Sequence, residues 1–210
     1  MTQTPLTDTA SASAPTGPGP DAPAWARFVT RAVDPVNIIL VIMVGFGAIR
    51  YGLSGAAWGL VGALFSGVLP QLGITAGMRR GRVTDRYVRD RARRVVILPL
   101  IMLSVGVGLA LMYLGGAPRA LTAMILGQFA TMIPVTVITT RWKISLHTSA
   151  GGGAVAMLTV AFGAWALLGY AVVAVVGWSR VVLRDHTRAQ CLAGAVLGSV
   201  VAGAVFWAAR

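Results

Sequence analysis

Along this chain, long and almost uncharged apolar runs alternate with short polar breaks. The first run extends from about Pro35 to Tyr51 and ends in a turn at Gly52-Leu53-Ser54-Gly55. A second continues to about Ala76 and contains Pro70, a third covers about Val95 to Leu114, and Gly115-Gly116-Ala117-Pro118 makes the next turn. A fourth occupies about Leu121 to Ile138, with Pro134 placed to kink its end, and a final run spans about Thr187 to Trp207. Runs of about 18 or more apolar residues cross a hydrocarbon core as helices, which satisfy their own backbone hydrogen bonds. The pattern predicts an all-α membrane protein, a polytopic helical bundle of six to seven transmembrane helices.

The count depends on one segment. From Gly151 to Trp178 the chain carries no charge for 28 residues. A single tilted helix fits, and so do two short helices turning near Gly163; periodicity does not choose between them. Ahead of the runs, residues 1–24 are mostly Thr, Ala, Ser, Pro and Gly, and predict a disordered tail with no signal-peptide character. Trp25 to Asp34 reads as an amphipathic lead-in, with Trp25, Arg27 and Arg31 suited to a membrane interface. The membrane-embedded unit is therefore residues 25–210. The small residues of the last run (among them Gly194, Gly198, Ala202 and Gly203) favour close helix packing.

Composition sharpens this picture. Hydrophobic residues make up 56% and charged residues 11% of the chain, against roughly 25% charged in soluble domains. The net charge is +12, but the cations are confined to the breaks and no nucleic-acid-binding motif appears, so headgroups and phosphates are the expected anions and nucleic acid is not an expected partner. The acidic residues number six, all Asp, which is too few and too scattered for a magnesium-dependent prenyl transferase. One cysteine, Cys191, excludes an intrachain disulfide and a thiolate-cluster metal site.

Both histidines fall in polar breaks. His147 closes Arg141-Trp142-Lys143-Ile144-Ser145-Leu146-His147, and His186 closes Ser179-Arg180-Val181-Val182-Leu183-Arg184-Asp185-His186. A third break, Gly81 to Arg94, is arginine-rich. Headgroup anchoring explains any one cation. It does not explain why both imidazoles sit among them. Imidazoles with fixed cations are the parts needed to handle a phosphate: nucleophile, acid and charge clamp. His186 and Gln190 are four apart, so on a helix the Gln carbonyl can accept from the imidazole Nδ1–H and leave Nε2 free. Lys143, four residues before His147, can reach a phosphate or snorkel to the interface.

At these three breaks the chain resembles the type 2 phosphatidic acid phosphatase superfamily, whose pattern is Lys-x6-Arg-Pro, Pro-Ser-Gly-His and Ser-Arg-x5-His-x3-Asp. Arg86-x6-Arg93 fits the first in spacing, with arginine for lysine and Arg94 where proline is expected; Arg82-x6-Arg89 fits as well. Ile144-Ser145-Leu146-His147 matches the second at Ser145 and His147, and Ser179-Arg180-x5-His186 matches the third, with Gln190 where aspartate is expected. The resemblance spans about residues 80 to 205 and is to a divergent actinobacterial branch. It implies an integral membrane lipid phosphatase with no metal and no cofactor, working through a phosphohistidine on His186. By the same resemblance Arg86, Arg93 and Arg180 hold the phosphoryl oxygens, Ser145 donates to one of them, and His147 protonates the leaving alkoxide. A neutral Gln190 stabilises positive charge on His186 less than aspartate; either turnover is slower, or Asp185 supplies the charge, or the site is not catalytic.

The implied substrates are prenyl or polyprenyl phosphates or diphosphates, phosphorylated polyprenyl sugars, or glycerolipid phosphates. The competing expectation is a non-catalytic lipid-binding or transport protein that holds anionic headgroups. If the 151–178 segment folds back, Arg50, Arg119 and Arg210 alone of the 18 Lys and Arg lie opposite the histidines. The positive-inside rule then puts the site on the cytoplasmic face of the plasma membrane.

Overall fold

The computed structural model describes residues 22–81, 88 and 91–210, with Arg91 and Ala92 through their backbone only. Residue Arg86, and the alternative pair Arg82 and Arg89, lie outside the described residues. Everything described is helical or in short turns: α1 (Ala24–Ala32), α2 (Pro35–Ala63), a π-helical turn (Leu64–Val68), α3 (Leu69–Arg79), α4 (Arg91–Leu114), α5 (Arg119–Thr139), α6 (Leu146–Phe162), a 3-10 turn (Ala164–Leu168), α7 (Gly169–Val182) and α8 (Arg188–Ala209). Five helical stretches are long and apolar enough to cross a membrane: Pro35–Arg79, Arg93–Leu114, Arg119–Thr139, Ala164–Val182 and Arg188–Ala209, and α6 is a shorter apolar helix.

The longest of these stretches doubles back. Gly52 has φ 63 and ψ −148, a conformation closed to other residues, and α2 reverses there. Gly47 then packs backbone to backbone on Gly55, and Gly59 on Met43, so the two limbs run antiparallel. The second limb passes through the π-helical turn just before Pro70. Proline has no N–H for the helical ladder, and a widened turn absorbs the missing bond. Pro99 and Pro134 are carried inside α4 and α5.

The uncharged segment from Gly151 to Trp178 is a helical hairpin. Gly163 (φ 100) ends α6, the 3-10 turn follows, and α7 returns with Gly169 against Val155 and Gly151 against Val173. Alternation of direction along the chain therefore brings four places to one end: Asp34 before α2, the facing ends of α3 and α4, residues 140–146, and the 183–187 turn. We call this the polar end. α6 and α8 run parallel in close contact: Gly198 packs on the Ser149 backbone, Gly194 on Ser145, and Gly152 on Ala195. At the opposite end, Arg119 Nε donates to Ala209 O (2.9 Å) and Arg210 to Val160 O (2.7 Å). The core between them is sulfur- and aromatic-rich, built on Met43, Phe46, Met112, Met124, Met157 and Phe206.

Candidate functional site

The 183–187 turn is shaped by the end of α7. Arg184 takes a left-handed conformation (φ 56), the Arg184 N–H bonds Val181 O, and the Asp185 N–H bonds Arg180 O, both at 3.0 Å. These paired bonds are the glycine-type C-terminal helix cap, here closed by a residue with a Cβ and hence strained. The fold-back carries His186 over the α7 terminus, where its N–H also meets Arg180 O (3.3 Å), and turns Asp185 onto Arg180 (Nη2–Oδ2 3.0 Å). Arg180 is fully buried.

α8 then begins with a reciprocal cap. Thr187 Oγ1 accepts from the Gln190 N–H (3.3 Å), and Gln190 Oε1 accepts from the Thr187 N–H (3.1 Å). The same Gln190 Oε1 lies 3.1 Å from His186 Nδ1. Because the Thr187 N–H fixes which end of the amide faces inward, that atom is an oxygen, and Nδ1 is the ring nitrogen that carries hydrogen. Nε2 is left with its lone pair, and it makes no hydrogen bond with any described residue. Burial, then the positive charges of Arg94, Arg180 and Lys143, push the His186 imidazole down to about 3, against a smaller upward pull from Gln190. His186 is a neutral base at any physiological pH.

Of the two adjacent arginines in the first turn of α4, the one whose charge acts on His186 is Arg94, which the motif spacing had passed over for Arg93. Arg94 is 3% exposed; its Nε donates to Val88 O (2.7 Å) and its Nη1 to Ile144 O (3.2 Å). Arg93 is half-buried. Adjacent positions on a helix face different ways, so the rotation of α4 about its axis decides which of two neighbouring arginines points inward, and motif spacing alone carries no such information. Val88 holds a left-handed φ of 44, costly for a β-branched residue, while its carbonyl faces Arg94.

The His147 stretch is tied to the His186 turn through the backbone: the Ser145 N–H donates to Gln190 O (3.3 Å). Ser145, fully buried, caps α6 by accepting from the Thr148 N–H (3.5 Å). His147 follows in the first turn, 5% exposed. The structure thus brings His147, His186, Gln190, Ser145, Arg180 and Lys143 to the polar end together with Arg94. The N-termini of α4, α6 and α8 all point there, and each contributes partial positive charge and unsatisfied N–H groups, a setting that favours an anion.

Inside the bundle, a cavity of about 200 Å³ reaches this end. Asp34, Arg94 and His147 line it together with apolar side chains such as Ile39, Ile97, Met132 and Met157; His186 and Arg180 do not line it. α1 packs on the outer side of α7, with Trp25 stacked on Trp178 (ring centroids 4.5 Å) and Thr30 Oγ1 3.0 Å from Ser179 Oγ. No family model, curated protein or solved structure matches this chain.

Proposed function

We propose that this protein is an integral membrane lipid phosphatase that hydrolyses a prenyl, polyprenyl or glycerolipid phosphate or diphosphate through a phosphohistidine, without a metal. The observation that carries the reading is His186: a neutral imidazole held by Gln190, its buried Nε2 without a hydrogen bond to any described residue, in the field of Arg94, Arg180 and Lys143. The resemblance of the three polar breaks to type 2 phosphatidic acid phosphatases supports it independently.

In this mechanism the guanidinium groups of Arg94 and Arg180 bind the non-bridging phosphoryl oxygens, with Lys143, and Arg93 and Arg86 from the arginine-rich break, as further cations. The Ser145 hydroxyl donates a hydrogen bond to one of these oxygens. Nε2 attacks phosphorus as the bond to the alcohol oxygen breaks, and His147 delivers a proton to that oxygen. Water then attacks the phosphohistidine, neutral His147 takes its proton, and Nε2 leaves with its electron pair. The cavity lies on the His147 side of the site, where a departing alcohol carries its apolar chain. The substrates are lipids for that reason.

The bundle crosses the membrane six to seven times in this reading, the two limbs of α2–α3 and α6 being counted with the longer helices. Arg50, Arg119 and Arg210 are the basic residues of the far end, so the polar end faces the cytoplasm at the plasma membrane. Phosphate release by detergent-solubilised protein from a panel of prenyl and glycerolipid phosphates, with and without chelator, tests the function. Wild-type protein releases phosphate with chelator present, an acid-labile phosphoryl group is trapped on the chain, and His186→Ala abolishes both. A neutral Gln190 beside His186 favours one other reading, a site that only holds anionic headgroups; there no lipid in the panel is turned over, and His186→Ala leaves lipid binding intact.

A further inference from the structure

The cavity beside His147 is long and narrow. Its lining follows α4 from Arg94 to Val105 and α6 from His147 to Met157, in each case starting from the first helical turn at the polar end. Those stretches of helix rise about 16 Å. A volume of about 200 Å³ spread over such a length is one chain wide. Since a dry cavity of about 150 Å³ holds benzene, this one holds on the order of eight to ten carbons. The two acyl chains of a membrane glycerolipid do not fit.

The inner end of the cavity is not apolar. A Cβ at Gly127 would stand 3.4 Å from Met157 Sδ and 3.1 Å from Ala202 O, so α5 meets the inner end at this level, and Gln128 is the next residue. Gln128, Thr131, Met132 and Val135 have the spacing of one helix face, and all four line the cavity. Thr131 Oγ1 donates to Gly127 O (2.8 Å), and Ser66 Oγ, also in the lining, to Gly62 O (2.6 Å). The Gln128 amide makes no hydrogen bond with any described residue. Hydrocarbon pressed over an unpaired amide strips it of water and returns no bond. A tail that reaches Gln128 loses there what its last carbons gain by burial.

We infer that the cavity selects lipid phosphates with one chain of about ten carbons, and that Gln128 sets the limit of length. This rests on the phosphatase reading and narrows its substrates to prenyl and other single-chain phosphates, with diacyl glycerolipids outside. The phosphate lies at the Arg94 and His147 end, and the chain runs inward past Ala150 and Ala154 of α6.

The test measures kcat/KM for phosphate release by the full chain in detergent. The substrates are dimethylallyl, geranyl, farnesyl and geranylgeranyl phosphates, each longer by one isoprene unit, with decyl phosphate and a diacyl phosphatidate alongside. Wild type gains about tenfold or more from dimethylallyl to geranyl phosphate, as added carbons are buried, and gains nothing further up to geranylgeranyl phosphate. Gln128→Leu, which nearly keeps the volume, raises the ratio of farnesyl to geranyl turnover by about tenfold, the scale of one amide no longer left unpaired. Ala154→Leu fills the cavity part-way and lowers geranyl phosphate turnover by about tenfold, while dimethylallyl phosphate, which stops short of it, is turned over as in wild type. Decyl phosphate separates the two sources of a single chain: turnover equal to that of geranyl phosphate admits straight chains, and slower turnover assigns the cavity to isoprenoids. A wild-type kcat/KM that climbs through geranylgeranyl phosphate overturns the inference. So does phosphatidate turned over as fast as geranyl phosphate, or a farnesyl-to-geranyl ratio unmoved in Gln128→Leu. In those cases the phosphatase reading stands. Release of phosphate from none of these lipids overturns both together.

Discussion

Gln190 shows how much one side chain settles at this end of the molecule. Its amide oxygen takes both the Thr187 N–H and the His186 Nδ1–H, so the residue that starts α8 also sets the tautomer of the candidate nucleophile. Two outcomes follow at this scale. Gln190→Glu keeps the cap, since Glu serves that position as well as Gln, and places a negative charge against the imidazole. The His186 pKa then rises from about 3, and phosphohistidine formation becomes faster, as read by single-turnover trapping of labelled phosphate. The second concerns pH. A folded-state pKa of about 3 against the ordinary 6.5 means that the unfolded chain binds the extra proton between those values. His186 therefore costs stability as pH falls from about 6.5 toward 3. Wild-type protein loses thermal stability in detergent over that window to a greater degree than His186→Asn, and imidazole 15N spectra hold the neutral Nδ1–H form down to pH 5.

Helix contacts decide whether these residues meet. The pairing of α6 with α8 sets the separation of His147 from His186, and it depends on glycines whose missing side chains let backbones touch. At Gly198 an added Cβ collides with the Ser149 carbonyl, whereas at Gly45 it meets nothing within 4 Å. Gly198→Ala is accordingly destabilising by about 1–3 kcal/mol or more, with loss of phosphate release, because backbone cannot give way as a flexible side chain would. Gly45→Ala is neutral or stabilising by up to about 1 kcal/mol. Thermal melts in detergent separate the two. The α1–α7 contact is open to the same measurement: Thr30→Val removes a buried hydroxyl contact with Ser179 and costs about 1–2 kcal/mol. The reciprocal cap at Thr187-x-x-Gln190 could have been read from sequence as a helix start, and the small residues of α8 announced close packing without naming the partner.

At the scale of the whole molecule, the charge pattern makes a statement about sidedness. The polar end collects most of the cations and both histidines, while Arg50, Arg119 and Arg210 stand at the other. In a Cys191→Ser background, a cysteine introduced at Arg141 is shielded from a membrane-impermeant maleimide added to intact cells, and one at Arg119 is labelled. The opposite pattern reverses the assignment of the site to the cytoplasmic face. The helical class, the polar breaks and the His186–Gln190 contact were all legible in the linear order of residues. Hydropathy is a sum over neighbours in sequence, and the His186–Gln190 contact is four residues long. Two matters were not legible. Whether Gly151–Trp178 crosses once or turns at Gly163 depends on packing of Val155 on Gly169 and Val173 on Gly151, contacts worth nothing until the hairpin closes. Which arginine faces the site depends on the rotation of α4 about its own axis, and that is fixed by what the rest of the bundle packs against it.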